Sequence, residues 1–455
     1  MKINPEIFRE YDIRGAVNED LTSEVVECIG RAFGSHIGKG KVAIGGDNRL
    51  STEEFRKALI SGILSTGLNV MDIDIVPTPV LYFALHHYKM AGGIQITGSH
   101  NPPQFNGFKV CKGTDTIYGR EIQALYKRIK SKKYKKGQGR KTSLDLIPAY
   151  VNFIKKKINL GRGLKVGIDA GNGCAGLVVP QLLRDLGCEV NELYCNLDGN
   201  FPHHFPDPTV PKNLKGLIKK VRKEKLDLGI AYDGDVDRMG VVSEEGKVIW
   251  PDILMVLFYR EILAKYPGMP CPVEVKCSQG LWEEIERLGG KPQFCRTGHS
   301  LIKAKMKEIK APFCGEMSGH MFFADDYFGF DDAIYASVRL LRILSKTNKS
   351  LSELLKDIPR YYSTPEIRID CPDSKKDKVV GEVSKYFNSK YPCINIDGVR
   401  VLFSNGWGLL RKSNTSAELI LRFEAKTEKR LEEIKDIFIK RLRKYSQIDI
   451  KPLTE

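Results

Sequence analysis

Short apolar runs of strand length alternate with amphipathic helical stretches through most of this chain, and that alternation limits the fold more than any other feature. Val42-Ala43-Ile44-Gly45 reads as a strand, followed by an amphipathic helix from Ser51 to Leu64. Leu68 through Val70, Ile73 and Ile75 to Val76 is a strand again, closed by Pro77. Lys165-Val166-Gly167-Ile168-Asp169 opens a second series, with a strand over 227–232 and helical spacing over 178–186 and 214–221. Strands joined by helices predict largely parallel sheets covered by helices. After Pro365 the pattern changes. Strands at 399–403, 407–410 and 419–423 lie close together, as antiparallel neighbours do. A helix from Thr427, its N-cap, to about Tyr445 then places Leu431, Ile434, Ile437, Phe438 and Leu442 on one face. The expected fold is α/β: three successive mixed or parallel α/β domains, then a smaller α+β C-terminal domain, arranged around a central cleft.

A chain of 455 residues has room for that many domains. Its punctuation puts them at 1–147, 148–251, 252–365 and 366–455, with breaks at a basic Gly-containing run, at Pro251 and at Pro365. No apolar stretch approaches membrane-spanning length, and the N-terminus lacks the apolar core of a signal peptide, so the expectation is a cytoplasmic protein with no membrane partner. Eleven cysteines occur singly, without a Cys-x-x-Cys, which favours reduced thiols; Cys111, Cys174 and Cys277 lie among apolar or small residues. The net charge of +16 attracts anions, either nucleic acid or phosphorylated metabolites. Much of it sits between Lys127 and Lys141, on Lys130, Lys132, Lys133, Lys135, Lys136 and Arg140. Gly137 and Gly139 make that run read as a solvated connector rather than a nucleic-acid surface.

Four loops carry the chemistry. Ser99 lies in Thr97-Gly98-Ser99-His100-Asn101-Pro102-Pro103, directly after the apolar run 91–96. A serine in a tight, proline-stopped loop at a strand end can carry a covalent group, and the small residues around it let a bulky anion approach. Asp233-Gly234-Asp235-Val236-Asp237-Arg238 follows another apolar strand. Three carboxylates at alternate positions converge on a hard cation, Mg²⁺ or Ca²⁺ rather than zinc. A helix–loop–helix calcium loop is the rival reading, but Arg238 stands where that loop needs glycine, and the flanks read as strands. Gly315-Glu316-Met317-Ser318-Gly319-His320 offers a carboxylate and a hydroxyl for a vicinal diol, and His320 for proton transfer. Arg411-Lys412-Ser413-Asn414-Thr415-Ser416 offers the donors a phosphate dianion needs. Lys109 can neutralise charge on a transferring phosphoryl group or act as an acid–base. A nucleophilic serine, a magnesium loop, a hydroxyl-binding loop and a phosphate loop, in that order, suit phosphoryl transfer to and from a sugar.

These motifs, with Phe8-Arg9-Glu10-Tyr11-Asp12-Ile13-Arg14-Gly15 near the start, resemble those of the α-D-phosphohexomutases, specifically the phosphomannomutase/phosphoglucomutase group, over essentially the whole length. The resemblance implies four domains around a cleft and reversible conversion of hexose 1-phosphate and hexose 6-phosphate, mannose or glucose, through a phosphoserine and a hexose 1,6-bisphosphate. It implies Ser99 as the phosphoserine, and Mg²⁺ held by Asp233, Asp235, Asp237 and Ser99. Glu316 and Ser318 would bind sugar hydroxyls; Arg411, Ser413, Asn414 and Thr415 would hold the phosphate that is not reacting. Lys109 and His320 would be the acid–base candidates, with Arg238 beside them, and Tyr11, Arg14, His100, Lys276 and His299 would line the site. Met317 looks like the glucose- and mannose-type members. Ile253 departs from the arginine that some members carry after Pro-Asp. The partners implied are phosphorylated hexoses, not nucleic acid, with a monomer or dimer equally compatible. Alternatives are a phosphoglucosamine mutase and a serine phosphatase. Eight scattered histidines do not supply the cluster a zinc phosphatase needs.

Overall fold

A computed structural model describes residues 3–414, 416–446 and 448–454. The backbone groups into two compact units: Met1–Glu261 with Ser318–Lys356, and Ile262–Met317 with Asp357–Glu455.

In the first unit the alternation becomes β1 (Ile13–Ala16), α1 (Ser23–Ile37), β2 (Lys41–Gly46), α2 (Thr52–Leu64), β3 (Asn69–Ile75), α3 (Thr78–His87), β4 (Gly92–Ile96), β5 (Phe105–Lys112), β6 (Asp115–Thr116), α4 (Arg120–Ser131) and β7 (Lys141–Ser143). The sheet runs β1-β5-β4-β2-β3-β7, with β6 on β5. β2 pairs in parallel with both β3 and β4, while β5 runs antiparallel to β4 and β1. The sheet is therefore mixed. Its central strands are buried along their length, which is why they read as continuous apolar runs rather than alternating ones. Val25, Ile29 and Phe33 of α1 and Phe55, Leu59 and Ile63 of α2 pack with Val42, Ile44, Ile94 and Val110 in one core. Thr22 caps α1 by accepting the Val25 N–H at 3.4 Å.

The basic run is less of a connector than its composition suggests. Lys127 to Ser131 complete α4, Lys135 donates its N–H to Ser35 Oγ at 2.9 Å, and Lys141 enters edge strand β7. Main-chain pairing to β3 holds the segment while its lysines stay in water.

A second sheet follows, built from α5 (Ile147–Lys157), β8 (Lys165–Asp169), α6 (Val179–Asp185), β9 (Glu189–Leu193), α7 (Lys215–Glu224), β10 (Leu228–Tyr232), β11 (Met239–Ser243) and β12 (Val248–Ile249). Its order is β12-β11-β10-β8-β9, parallel from β9 through β10 and antiparallel beyond. The segment 318–356 completes this unit with strand Met321–Phe323 and helix Ala333–Ser345.

The second unit contains the parallel pair Pro270–Glu274 and Lys291–Cys295 with helices Gln279–Arg287 and His299–Ile309. It also contains a six-stranded sheet, antiparallel in every pairing, that includes Val399–Phe403, Gly406–Lys412 and Glu418–Ala425. Helices Asp373–Asn388 and Glu428–Leu442 cover it, and Thr427 accepts the Arg430 N–H at 3.2 Å as the N-cap. Among the described residues no helix is long and apolar enough to cross a membrane. All eleven cysteines are free thiols, and Cys111, Cys174 and Cys277 are buried.

Candidate active site

Two strand ends of the first unit meet at Ser99. β4 delivers the serine loop and β10 the acidic loop, whose six residues turn directly into β11. Strands, not helices, flank the aspartates, which removes the calcium-loop reading. Ser99 Oγ donates to Asp233 Oδ2 at 2.8 Å and lies 3.0 Å from His100 Nδ1. Ser99 is 2% exposed, and the three aspartates are fully buried. Both loops bend through left-handed backbone, with φ +50° at Ser99 and +68° at Val236. For a β-branched residue such as Val236 that conformation is strained, and strain of this kind persists only where surrounding contacts impose it.

The charges do not balance. Lys109, on β5, donates to Asp235 Oδ2 at 2.6 Å and also to Asp237 Oδ2. Arg238 Nε is 4.0 Å from Asp233 Oδ2. Burial pulls the Lys109 ammonium down, but Asp235 and Asp237 outweigh it and hold the group charged, above its ordinary value. Burial pushes Asp235 up, yet Lys109 and the Thr78 hydroxyl, 2.5 Å from Oδ2, hold it low. Burial, then Asp237 and Asp235, drive Asp233 well above the ordinary carboxylate range. Asp235 Oδ1 and Asp237 Oδ1 are buried and accept no hydrogen bond. Ligand oxygens of Asp233, Asp235 and Asp237 lie within 4.8 Å of one another. Two unpartnered carboxylate oxygens in an all-oxygen donor set suit a hard divalent cation, so this buried acidic group can hold a metal.

His320 and Arg238 face each other across an antiparallel bridge, and Arg238 Nε donates to His320 Nε2 at 3.0 Å. The His320 proton therefore sits on Nδ1, which lies 3.3 Å from Asp331 Oδ2 and 3.6 Å from Asp237 Oδ1. Arg14 donates to Asn101 Oδ1 at 2.9 Å and to Asp12 at 2.7 Å, so it is tied to the serine loop. Tyr11, three residues before Arg14, is half-buried, and Ser318 is half-buried in the same unit.

The second unit assembles its own cluster. Glu316 is buried and accepts the Gly298 N–H at 2.6 Å, directly before His299 at the start of its helix. Lys276 donates to Glu366 at 2.8 Å. Burial pulls the Lys276 ammonium down, but Glu274 and Glu366 outweigh it. Arg411 Nε donates to Asp397 Oδ2 at 2.9 Å, and the same oxygen accepts the Thr297 N–H at 3.1 Å. Ser413 Oγ pairs with Ser416 Oγ at 2.8 Å, and Asn414 Nδ2 is buried with no hydrogen-bond partner. Thr415, expected in this loop, lies outside the described residues. Sequence reasoning missed Thr78, Asp331, Glu274 and Asp397. Thr78 acts on Asp235 from 157 residues away, but Asp397 acts on Arg411 from 14, Asp331 on His320 from 11 and Glu274 on Lys276 from two, and none of the four belongs to a motif.

Family descriptions of phosphoglucomutase/phosphomannomutase match the chain in order: alpha/beta/alpha domain I over residues 5–136, domain II over 148–246, domain III over 250–362 and the C-terminal domain over 366–441. The chain belongs to this family. It is 46% identical over 441 residues to a phosphomannomutase/phosphoglucomutase of Pseudomonas aeruginosa, covering 96% of this chain and 95% of that one. A phosphoglucomutase of Neisseria meningitidis is 42% identical over 441 residues, covering 95% and 96%. The crystal structure of a phosphoglucomutase/phosphomannomutase family protein from Burkholderia thailandensis superposes with a TM-score of 0.92 at 40% identity, covering 98% of this chain and 99% of that chain. Membership fits a fold of successive α/β sheets ending in an antiparallel domain.

Proposed function

We propose that this family member interconverts hexose 1-phosphates and hexose 6-phosphates, of mannose, glucose or both, through a phosphorylated Ser99. The domains are read as 1–147, 148–251, 252–365 and 366–455. The observation that carries the reading is the Ser99 hydroxyl held 2.8 Å from Asp233 beside two carboxylate oxygens that accept no hydrogen bond.

The sugar O6 attacks phosphoserine. The Oγ–P bond breaks, an O6–P bond forms, and the intermediate is the hexose 1,6-bisphosphate. It turns over within the site, Ser99 Oγ attacks the phosphorus on O1, and the O1–P bond breaks to leave hexose 6-phosphate. The proton lost by O6 is matched by one returned to O1, so no water is consumed. Asp233 accepts the Ser99 O–H and orients Oγ for the second transfer. Lys109, kept charged between Asp235 and Asp237, supplies a fixed positive charge to the transferring phosphoryl group. Asp233, Asp235, Asp237 and Ser99 would hold Mg²⁺, which when bound offsets the negative charge of that group. His320 is the proton carrier, through the Nε2 that accepts from Arg238. Glu316 and Ser318 bind sugar hydroxyls, and Arg411, Ser413, Asn414 and Thr415 bind the phosphate that is not reacting. The same reading assigns substrate binding to Tyr11, Arg14 and His100 in the first unit and to Lys276 and His299 in the second.

The test is a side-by-side assay of mannose 1-phosphate, glucose 1-phosphate and glucosamine 1-phosphate, with Mg²⁺ and catalytic hexose 1,6-bisphosphate. Formation of mannose or glucose 6-phosphate without inorganic phosphate supports the reading. Stoichiometric phosphate release would make the protein a phosphatase, and turnover of the amino sugar alone would move it to a glucosamine-type mutase.

A further inference from the structure

The tripeptide Asp47-Asn48-Arg49, at the end of β2, binds the serine loop directly and reaches the segment 172–174 that holds the acidic loop. Arg49 is 2% exposed. Its guanidinium donates to four main-chain carbonyls of the serine loop: Pro102 at 2.7 Å, Phe105 at 2.8 Å, Ser99 at 2.9 Å and Asn101 at 2.6 Å. The remaining donor, Nε, goes to Asp47 Oδ2 at 3.2 Å, so every N–H of the group is used. Asp47 Oδ2 also accepts from Thr97 Oγ1 at 2.8 Å and from the Gly98 N–H at 3.2 Å. The guanidinium occupies the space a side chain on residue 98 would need, for a Cβ on Gly98 would lie 2.4 Å from Arg49 Cζ. Toward the acidic loop, Asn48 Nδ2 donates to the Asn172 carbonyl at 2.8 Å. Two residues on, Cys174 donates its N–H to the Gly234 carbonyl at 3.0 Å.

We infer that Arg49 is a positioning residue for phosphoryl transfer, fixing Ser99 in its left-handed conformation against the acidic loop. The inference rests on the mutase reading above. A left-handed serine costs on the order of 1 kcal/mol, and buried carbonyls without donors would cost more, so the loop keeps this shape only while its carbonyls are bound. A planar fork with five donors meets that need. A lysine ammonium, with three donors and no plane, does not.

The test uses Arg49→Lys and Arg49→Ala in the full chain. Single-turnover transfer from the phosphorylated enzyme to glucose 1-phosphate is expected to fall about 100-fold, with KM within about twofold, because a shift of about 1 Å at the nucleophile has that effect. Amide exchange is expected to quicken in 97–106 and to stay unchanged in the acidic loop. About 50 mM guanidinium is expected to raise the Arg49→Ala rate about tenfold and to leave Ser99→Ala inactive, as a donor returned to a vacated cavity would do. A rate within about threefold of wild type overturns the inference, as does a loss that appears only in KM, or one that tracks the unfolded fraction in a melting curve. Unchanged exchange in 97–106 for Arg49→Lys overturns it whatever the activity. Failure of the wild-type protein to turn over defeats the mutase reading instead, and the two failures are thereby told apart.

Discussion

Gly234 sets how closely the two loops approach, and replacing it by alanine turns that into a measurable rate. A Cβ at position 234 would lie 2.6 Å from the Ser99 carbonyl oxygen, whereas ordinary contact begins at 3.4 Å. Neither loop is free to give way. The Ser99 carbonyl is bound by Arg49 at 2.9 Å, and the Gly234 carbonyl by the Cys174 N–H at 3.0 Å. Relief of the overlap therefore parts the loops by about 0.8 Å, which stretches the 2.8 Å Ser99–Asp233 hydrogen bond past useful length. A misplacement of that size costs about 50- to 100-fold in kcat, and the overlap itself costs about 1–3 kcal/mol of stability. KM for glucose 1-phosphate is expected to stay within about twofold, since the substitution touches none of the residues assigned to the sugar or its distal phosphate. The assay follows glucose 6-phosphate formation with saturating Mg²⁺ and catalytic glucose 1,6-bisphosphate, beside a thermal melt. A variant that melts cooperatively and keeps kcat within about threefold of wild type would refute the idea that loop separation limits transfer.

Three further outcomes are expected. Ser99→Ala lowers turnover by several powers of ten while the melt stays cooperative, because the phosphoryl acceptor is gone; near-normal turnover would remove Ser99 from the reaction. Asp235→Asn raises the Mg²⁺ concentration needed for half-maximal activity by about tenfold or more, and an unchanged titration would clear the acidic loop of metal binding. Glu366 reports on acid stability: burial raises it, but Lys276, with Arg368 and Arg411, outweighs burial and brings it from 4.5 to about 2. A depressed carboxylate stabilises the fold above its unfolded value, and that contribution is lost as pH falls from about 4.5 to about 2, on the order of 3 kcal/mol in all. Glu366→Gln is expected to lower stability at pH 7 and to flatten its slope across that window; a parallel slope in urea titrations at pH 5 and pH 3 would contradict it.

The elements were readable wherever burial left a local mark. Strand Lys41–Gly46 and helix Thr52–Leu64 fall within two residues of the apolar run and the helical period that announced them. The final helix stops at Leu442, three residues short of Tyr445, which packs on the same core from beyond the helix end. The edge strand at Lys141 left no such mark, because an exposed three-residue strand needs only main-chain partners. Ser99 and the three aspartates, which the structure brings together, stood out because the chemistry expected of them requires particular residue types at close spacing. Their supports did not. Thr78 reaches Asp235 across 157 residues and Arg49 reaches Ser99 across 50, and neither distance leaves a periodic trace. Nor does any residue preference announce a left-handed valine at 236. That conformation follows from contacts made only after folding, as in the hydrogen bonds from the Asp237 and Arg238 N–H groups to Asp233 Oδ1, both at 3.1 Å.

Those contacts bear on how the serine loop is held. In the proposed reaction, which passes one phosphoryl group out and takes another back, Ser99 serves first as leaving group and then as nucleophile. Both passes must succeed from one serine position, because the serine loop does not turn over with the sugar. A mobile loop would serve one direction at the expense of the other and would admit water to phosphoserine. Strained backbone on both sides of the Ser99–Asp233 bond, with the loop carbonyls taken up by one buried guanidinium, is the arrangement that demand selects. The required motion then falls to the bisphosphate.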